Sequence, residues 1–272
     1  MKDFFRAFFL HFGFAIVRDI RLKELIAAQN SLLSLARWYS GQVPTSMLRY
    51  VLQNSPYSKS QLQQDLLVGY FYPENNSERY FVEFGATDGV SLSNTYFLEK
   101  TLGWRGLLCE PAKIWQNQIK SNRNCEIDFR CVHPFSQGEV KFSEARSPEL
   151  SSISSFADND LHASSRVQSK DYLVPTVSLN DLLTEHQSPR VIDYLSIDTE
   201  GSEFEILQNF PFEKWQISII TVEHNYSKNR LLLDQLLISK GYVNILVETS
   251  LFDGWYVSKE IYARFNSASD SN

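Results

Sequence analysis

From Tyr80 onward the chain alternates short, nearly continuous apolar runs with stretches patterned as helices. The strand candidates are Tyr80–Phe84, Gly106–Cys109, Ile127–Val132, Ile192–Ile197, Ile217–Val222 and Tyr242–Val247. Between them Ser91–Lys100, Ala112–Asn122, Leu179–Glu185, Glu203–Asn209 and Ser227–Lys240 read as helices. The last is punctuated at both ends, with Ser227 available as a cap and Lys240-Gly241 as a left-handed stop. Strands apolar at almost every position are buried on both faces. That predicts an α/β fold, a mostly parallel sheet with helices on both sides. Such sheets bind ligands beyond the carboxyl ends of their strands, so functional side chains should be sought there.

The chain is long enough for one large domain or a domain with an appendage, at 272 residues. Its formal charge of −6 excludes a dedicated nucleic-acid binder, which would present a basic face. Cys109, Cys125 and Cys131 form no CxxC pair and leave an odd thiol, which favours a reducing, cytoplasmic setting with the cysteines as small buried hydrophobes. The sequons at Asn75 and Asn225 then carry no weight. Ala7–Val17 is apolar apart from His11 and is bracketed by Lys2, Arg6, Arg18, Arg21 and Lys23. It is too short to span a bilayer, which takes about 20 helical residues. A cleaved signal or anchor is the weaker reading, since no small-residue cleavage pattern closely follows. Phe4, Phe5, Phe8, Phe9 and Phe12 predict a helix with an apolar face. It would pack on a second copy, lie on a membrane surface at which the protein is peripheral, or fold back on the main domain. Residues 45–79 read as helix and loop, with Gln61–Tyr70 amphipathic. The expected organisation is a helical extension over 1–54, a catalytic domain over 55–265 and a frayed polar tail over 266–272.

The strand ends are acidic. The first strand runs into Gly85-Ala86-Thr87-Asp88-Gly89, where glycines admit close backbone approach by a ligand. A buried carboxylate at Glu83 requires a cationic or hydrogen-bonding partner. Alone, this turn is equally a tight turn capped by Asp88. The second strand ends Cys109-Glu110-Pro111, placing an acid 25 residues beyond Gly85, where it can accept the hydroxyls of an adenosine ribose. Alone, Glu110 reads as a charge at a helix start; together the two features favour an adenosine cofactor. The second glycine of a GxGxxG fingerprint is missing, which weakens a dinucleotide reading. The fourth strand ends Asp198-Thr199-Glu200-Gly201-Ser202-Glu203, and the fifth Glu223-His224-Asn225. Ser202 and Glu205 form a capping box by spacing, and Glu203 reads as solvated. Asp198 and Glu200 lack such a local explanation. His224 alone among five histidines falls at a strand end beside carboxylates, as a structural histidine or a general base. His133, His162 and His186 read as loop or surface residues.

In this order, Val82-Glu83-Phe84-Gly85-Ala86-Thr87-Asp88-Gly89, Ser93-Asn94-Thr95, Gly103-Trp104-Arg105-Gly106-Leu107-Leu108-Cys109-Glu110-Pro111, Asp198-Thr199-Glu200-Gly201-Ser202-Glu203 and Val222-Glu223-His224-Asn225 closely resemble the FkbM-type S-adenosylmethionine-dependent methyltransferases. The resemblance covers about residues 78–250. It implies the class I (Rossmann-like) seven-stranded methyltransferase sheet, with Tyr256–Ala263 as its reversed last strand. It also implies transfer of a methyl group to an oxygen, commonly a sugar hydroxyl of a glycan or natural product. Glu83, Gly85 and Asp88 are then expected around the methionine portion of S-adenosylmethionine and Glu110 at the ribose. Ala86, Thr87, Gly89, Asn94, Pro111 and Asp198 complete the expected cofactor contacts. Thr87 stands at the centre of the turn, where the general methyltransferase pattern GxGxG has glycine.

Methyl transfer is an in-line displacement that mainly requires alignment, and a sugar hydroxyl needs a base or a metal. The expectation is His224 as base, with Asp198 and Glu200 orienting it or the acceptor. A variant places Mg²⁺ on Asp198, Glu223 and Asn225, as in catechol-type methyltransferases. The competing classes are a nicotinamide (NAD-dependent) oxidoreductase, which should carry the fuller glycine fingerprint, and a non-catalytic cofactor-binding module. A nucleic-acid methyltransferase would need a basic groove. The Ser-rich insert His133–Val177 is expected in the acceptor wall.

Overall fold

The computed structural model describes residues 33–34, 36–40, 43–144, 152–153, 170–199 and 201–269. Residues 36–40 are helical. Two helices, α1 (Thr45–Asn54) and α2 (Gln64–Phe71), precede the sheet. Then come β1 (Tyr80–Phe84), α3 (Tyr96–Lys100), β2 (Arg105–Cys109), α4 (Gln116–Asn122) and β3 (Glu126–Asp128). An excursion follows through β4 (Cys131–Val132), β5 (Glu139–Glu144), β6 (Ser152–Ile153) and β7 (Lys170–Val177). The chain returns through α5 (Leu179–Glu185), β8 (Val191–Ile197), α6 (Glu203–Gln208), β9 (Gln216–Glu223) and α7 (Asn229–Ser239). It closes with β10 (Val243–Asn244), α8 (Val247–Ser250), β11 (Asp253–Val257) and α9 (Lys259–Ser269).

The main sheet has seven strands in the order β10-β11-β9-β8-β1-β2-β3. All pairs from β9 to β3 are parallel, and β11 alone is antiparallel to both its neighbours. The excursion forms a separate four-stranded sheet, β4-β7-β5-β6. Alternation within β1 divides the core in two. Tyr80, Val82 and Phe84 join a cluster with Leu182, Ile206 and Leu237 from α5, α6 and α7. Phe81 faces Trp38, Met47, Val51, Leu66 and Trp255 on the other side. Met47 and Val51 of α1 and the preceding Trp38 are therefore fully buried parts of one core face, and Trp38 meets Trp255 with ring centroids 5.5 Å apart. Cys109 and Cys131 are buried and Cys125 half-buried, all three as free thiols.

Several boundaries differ from the sequence reading. The reversed strand is Asp253–Val257 rather than Tyr256–Ala263, because the residues after Ser258 continue as α9 with Ile261 buried on one face. That helix also carries residues 266–269. Ile127–Val132 divides into β3 and β4, where Asp128 turns back to accept from the backbone N–H of Arg130 at 2.8 Å. The helix expected from Ser91 begins only at Tyr96, because Ser93, Asn94 and Thr95 wrap around the Glu83 carboxylate. Ser227 does not cap α7, whose N-cap is Lys228 without a side-chain bond. Gly241 does supply the left-handed stop, at φ 92°. No helix among the described residues is long and apolar enough to cross a membrane. The expected helix over Ala7–Val17 lies outside the described residues.

Candidate active site

The parallel strands β1, β2, β8 and β9 deliver their carboxyl ends to one edge. The turn after β1 is set by Gly85, at φ +74°. A Cβ there would stand 2.0 Å from the Asp198 carbonyl oxygen at the end of neighbouring β8. Only glycine permits that approach. Ala86 is buried, Thr87 adopts φ 47°, and the Gly89 N–H closes the turn on the Ala86 carbonyl at 2.8 Å. Asp88 does not cap a helix. Its Oδ1 accepts from the N–H groups of Val90 and Ser91 at 2.9 and 2.7 Å, which fixes the loop itself.

Glu83 lies beneath this turn, 2% exposed, and its carboxylate is fully engaged. Oε1 accepts from the Asn94 N–H at 2.7 Å, and Oε2 from the Ser93 hydroxyl at 3.0 Å and from Thr95 Oγ1. Arg123, 3% exposed at the end of α4, lies 3.8 Å from Glu83 and donates from Nε to Glu99 at 2.6 Å. Its other nitrogens donate to the Gly89 carbonyl, Ser93 Oγ and Thr95 Oγ1. Glu83 is thus a post on which the Ser93-Asn94-Thr95 segment is hung, and Arg123 is its counterion. That arrangement leaves the Asn94 side chain facing the pocket, where its Nδ2 donates to Ser196 Oγ at 2.9 Å.

Glu110, 4% exposed beyond β2, accepts from the Thr87 N–H through Oε2 and from the Ala112 N–H through Oε1, both at 2.8 Å. Burial pushes its carboxyl up to about 7, against the pull of the two N–H groups, and the charges of Asp198 and Glu83 add to the rise. It therefore couples the β1 turn to the β2 end. Pro111, next in sequence, opens onto a mainly apolar slot of about 490 Å³ shared with Phe129, Leu173 and Pro175.

A second, narrow pocket is lined by Asp198, Glu223 and Asp253 together with Asn94, Gln61 and Gln64. Asp253 begins the reversed strand, 4% exposed; its Oδ2 accepts from Gln64 Nε2 at 3.0 Å and Trp255 Nε1 at 2.9 Å. Burial pushes its carboxyl up to about 7, with Gln64 and Trp255 opposing and Asp198 contributing. Asp253, Gln61 and Gln64 were not singled out in the sequence. The misplaced reversed strand hid Asp253. The glutamines come from the segment before β1, which reaches over the sheet edge through a bridge between Ser60 and Leu92.

His224 is buried beside the pocket. Its Nδ1 accepts from the Tyr226 N–H at 3.1 Å, which places the ring proton on Nε2. Burial holds the imidazole down at about 4, and Arg230 adds to the lowering. In this arrangement Nδ1 is engaged by the 224–226 turn. Glu200 lies outside the described residues. Glu203, expected to be solvated, is 6% exposed and accepts from the N–H groups of Thr199 and Gly201 at 3.0 and 2.9 Å. It takes the place of the expected capping box, since Ser202 makes no cap bond. His186, expected at the surface, bridges Glu126 and Asp128 at 2.7 and 3.0 Å. Among the described residues no group of three or more His, Cys, Asp or Glu is placed to hold a metal ion, and Mg²⁺ on Asp198, Glu223 and Asn225 finds no support.

The sheet order, the glycine turn packed against β8 and the acid beyond β2 agree with the family whose model matches residues 83–243, the methyltransferase FkbM domain. The chain belongs to the FkbM methyltransferase family. No curated protein matches it. Among solved structures, an FkbM methyltransferase from Methylobacillus flagellatus KT aligns at 10% identity and TM-score 0.40, covering 83% of this chain and 58% of that one. The chain thus spans less than two thirds of that relative. The N-terminal domain of human METTL16 in complex with SAH aligns at 14% identity and TM-score 0.35, over 71% and 65% of the two chains. A fibrillarin/Nop5p complex gives 9% identity and TM-score 0.37, over 66% and 72%. Its family makes it a methyltransferase of the S-adenosylmethionine-dependent kind, carried on the seven-stranded, mostly parallel sheet described above.

Proposed function

We propose that this methyltransferase acts on oxygen, methylating a hydroxyl of a sugar-containing acceptor. The observation that carries the reading is the acid-lined pocket at the ends of β8 and β9, adjoining the Gly85 turn. Carboxylates and amides together suit an acceptor rich in hydroxyl donors, and their negative charge suits a neighbouring sulfonium. The residues present fit S-adenosylmethionine: the close-packed Gly85 turn can receive its methionine portion and Glu110 its ribose. The apolar slot beside Pro111 and Phe129 suits the adenine. When bound, that cofactor supplies an electrophilic methyl group.

The chain's own residues then have three tasks. Asn94, held by Ser60 and Ser196, and the Gln64–Asp253 pair orient the acceptor hydroxyl. Asp198, at the strand end against Gly85, would take the proton that the hydroxyl gives up when its oxygen accepts the methyl group and the sulfur–methyl bond breaks with its electron pair left on sulfur. His224 keeps the flanking turn in register, with Glu200 beside Asp198 in sequence as a further orienting acid. A labelled-methyl transfer screen over nucleotide sugars, oligosaccharides and lipid-linked glycans tests the reading. Transfer to a sugar oxygen, reduced about 100-fold or more in Asp198→Asn, supports it. Transfer to nitrogen, or an unimpaired Asp198→Asn variant, overturns it.

A further inference from the structure

At the amino ends of the parallel strands, away from the acid-lined pocket, lies a cavity of about 320 Å³ that no step of methyl transfer uses. Its volume falls in the range of small-molecule sites, about 300–1,000 Å³. Arg79, directly before β1, and Arg264 of α9 both line it. The helix α2 separates the two pockets. Gln64 at its start lines the acid pocket and Phe71 at its end lines this cavity, roughly 10 Å away by helical rise.

Two cations are gathered on one ring. The Arg79 guanidinium lies 4.2 Å from the centre of the Tyr72 ring, and the Arg264 guanidinium 5.4 Å from it and 5.8 Å from that of Phe71. Like charges brought together in this way repel, and an anion near both relieves the repulsion. The protein supplies such an anion to Arg79 alone: Asp193 accepts from its Nη1 at 2.6 Å and from the Tyr80 N–H at 2.9 Å. Arg264 donates from Nη2 to the Phe71 carbonyl at the end of α2, and among the described residues no carboxylate pairs with it.

Stacking on Tyr72 holds both planar forks. Among the described residues Nε and Nη2 of Arg79 and Nε and Nη1 of Arg264 have no protein partner. Guanidinium groups held in this way match the oxygens of a phosphate. Asn76, also in the lining, spends its Oδ1 on the Glu78 N–H at 2.8 Å and keeps its amide nitrogen, and Glu74 adds an exposed carboxylate. Glu74 opposes a bare anion, but with Asn76 it offers an acceptor and a donor to hydroxyl groups. Oxyanion recognition next to hydroxyl recognition fits a sugar phosphate better than inorganic phosphate.

We infer that this cavity is a second ligand site, for a small sugar phosphate whose phosphate group is held by Arg79 and Arg264 and whose hydroxyls meet Glu74 and Asn76. It is separate from the cofactor and acceptor sites and does not depend on which atom is methylated. The test is isothermal titration of the full chain in phosphate-free buffer with glucose 6-phosphate, inorganic phosphate and glucose. Saturable heat with glucose 6-phosphate, weaker binding of inorganic phosphate and none of glucose are expected. Arg264→Gln should weaken glucose 6-phosphate binding about 10-fold or more, because a charge-assisted contact is lost. Arg264→Lys should restore only part of it, as a point charge without the fork. Cooperative thermal unfolding shows that both variants are folded. Asp198→Asn should leave the binding unchanged, which separates this cavity from the acid pocket. No binding at millimolar concentration, glucose or inorganic phosphate binding as tightly as the ester, or binding kept in Arg264→Gln and lost in Asp198→Asn would overturn the inference.

Discussion

Replacing Arg123 with Met keeps the length of the side chain and removes its charge, from the one guanidinium that touches Glu99, Gly89, Ser93 and Thr95 together. The substitution leaves the buried Glu83 without its counterion and leaves Glu99 with Lys100 alone. Breaking one partner out of a buried ion pair costs about 3–5 kcal/mol. The ionisation of Glu99 gives a second route to the size of the effect. Burial pushes its carboxyl up, but Arg123, with Lys100 and the Asn124 N–H, outweighs burial and holds it at about 2 against 4.5. Linkage converts a shift of that size to ~3 kcal/mol, and solvent screening of a partly exposed acid reduces it to ~1–2 kcal/mol. The contribution of a depressed acid is present above its unfolded value of 4.5 and is lost as pH falls toward 2. Urea denaturation followed by tryptophan fluorescence at neutral pH should therefore show Arg123→Met destabilised by about 3 kcal/mol. The difference should narrow as pH is lowered below 4. Cofactor affinity should fall with it, because Gly89 and Ser93 lose their anchor. A loss below about 1 kcal/mol at neutral pH, or a difference independent of pH, would refute the account of Arg123 as counterion of a buried network.

Gly85→Ala places a Cβ against the Asp198 carbonyl at φ +74°; differential scanning calorimetry should show a loss of about 3–5 kcal/mol from the left-handed penalty and overpacking combined. Asp65, Glu110 and Asp253 are each pushed up to about 7 by burial. Such acids favour folding while protonated, and their contribution is lost as pH rises from their unfolded values toward and beyond 7. His186, raised by Asp128 and Glu126 against the lowering effect of burial, acts in the same direction as it loses its proton. The urea midpoint should accordingly fall between about pH 5 and pH 8, and Asp253→Asn should flatten part of that slope. Gln64→Ala should lower kcat more than about 10-fold with little change in cofactor affinity, since Gln64 holds Asp253 on the acceptor side.

Much of the fold was legible because buried parallel strands announce themselves as unbroken apolar runs. Tyr80–Phe84 was read with its observed ends, and Leu179–Glu185 likewise. The short elements were harder. Asp253–Val257 begins with a buried acid and a glycine, so nothing in Asp253-Gly254 reads as strand until its partner β9 supplies the ladder. Asp198 and Glu110 could be placed at strand ends from the sequence; the structure puts Asp198 in the pocket lining and joins Glu110 to the Thr87 and Ala112 N–H groups. What sequence reasoning could not reach was mediated by distance along the chain. Gln64 meets Asp253 across 189 residues, and Arg123 meets Glu83 across 40. Glu203, not Glu205, makes the local bonds, because a carboxylate aimed back over the Thr199–Gly201 loop satisfies more donors than a cap at Ser202 would. His224 was read from its neighbours in sequence, whereas its hydrogen bond to the Tyr226 N–H decides which ring nitrogen carries the proton.

The most direct test of the cofactor reading is isothermal titration with S-adenosylmethionine and with NAD, on wild type and on Glu110→Ala. Saturable heat with S-adenosylmethionine alone, weakened about 10-fold or more when the Glu110 carboxylate is removed, is the predicted result. Binding of NAD in preference, or S-adenosylmethionine binding indifferent to Glu110, would contradict it.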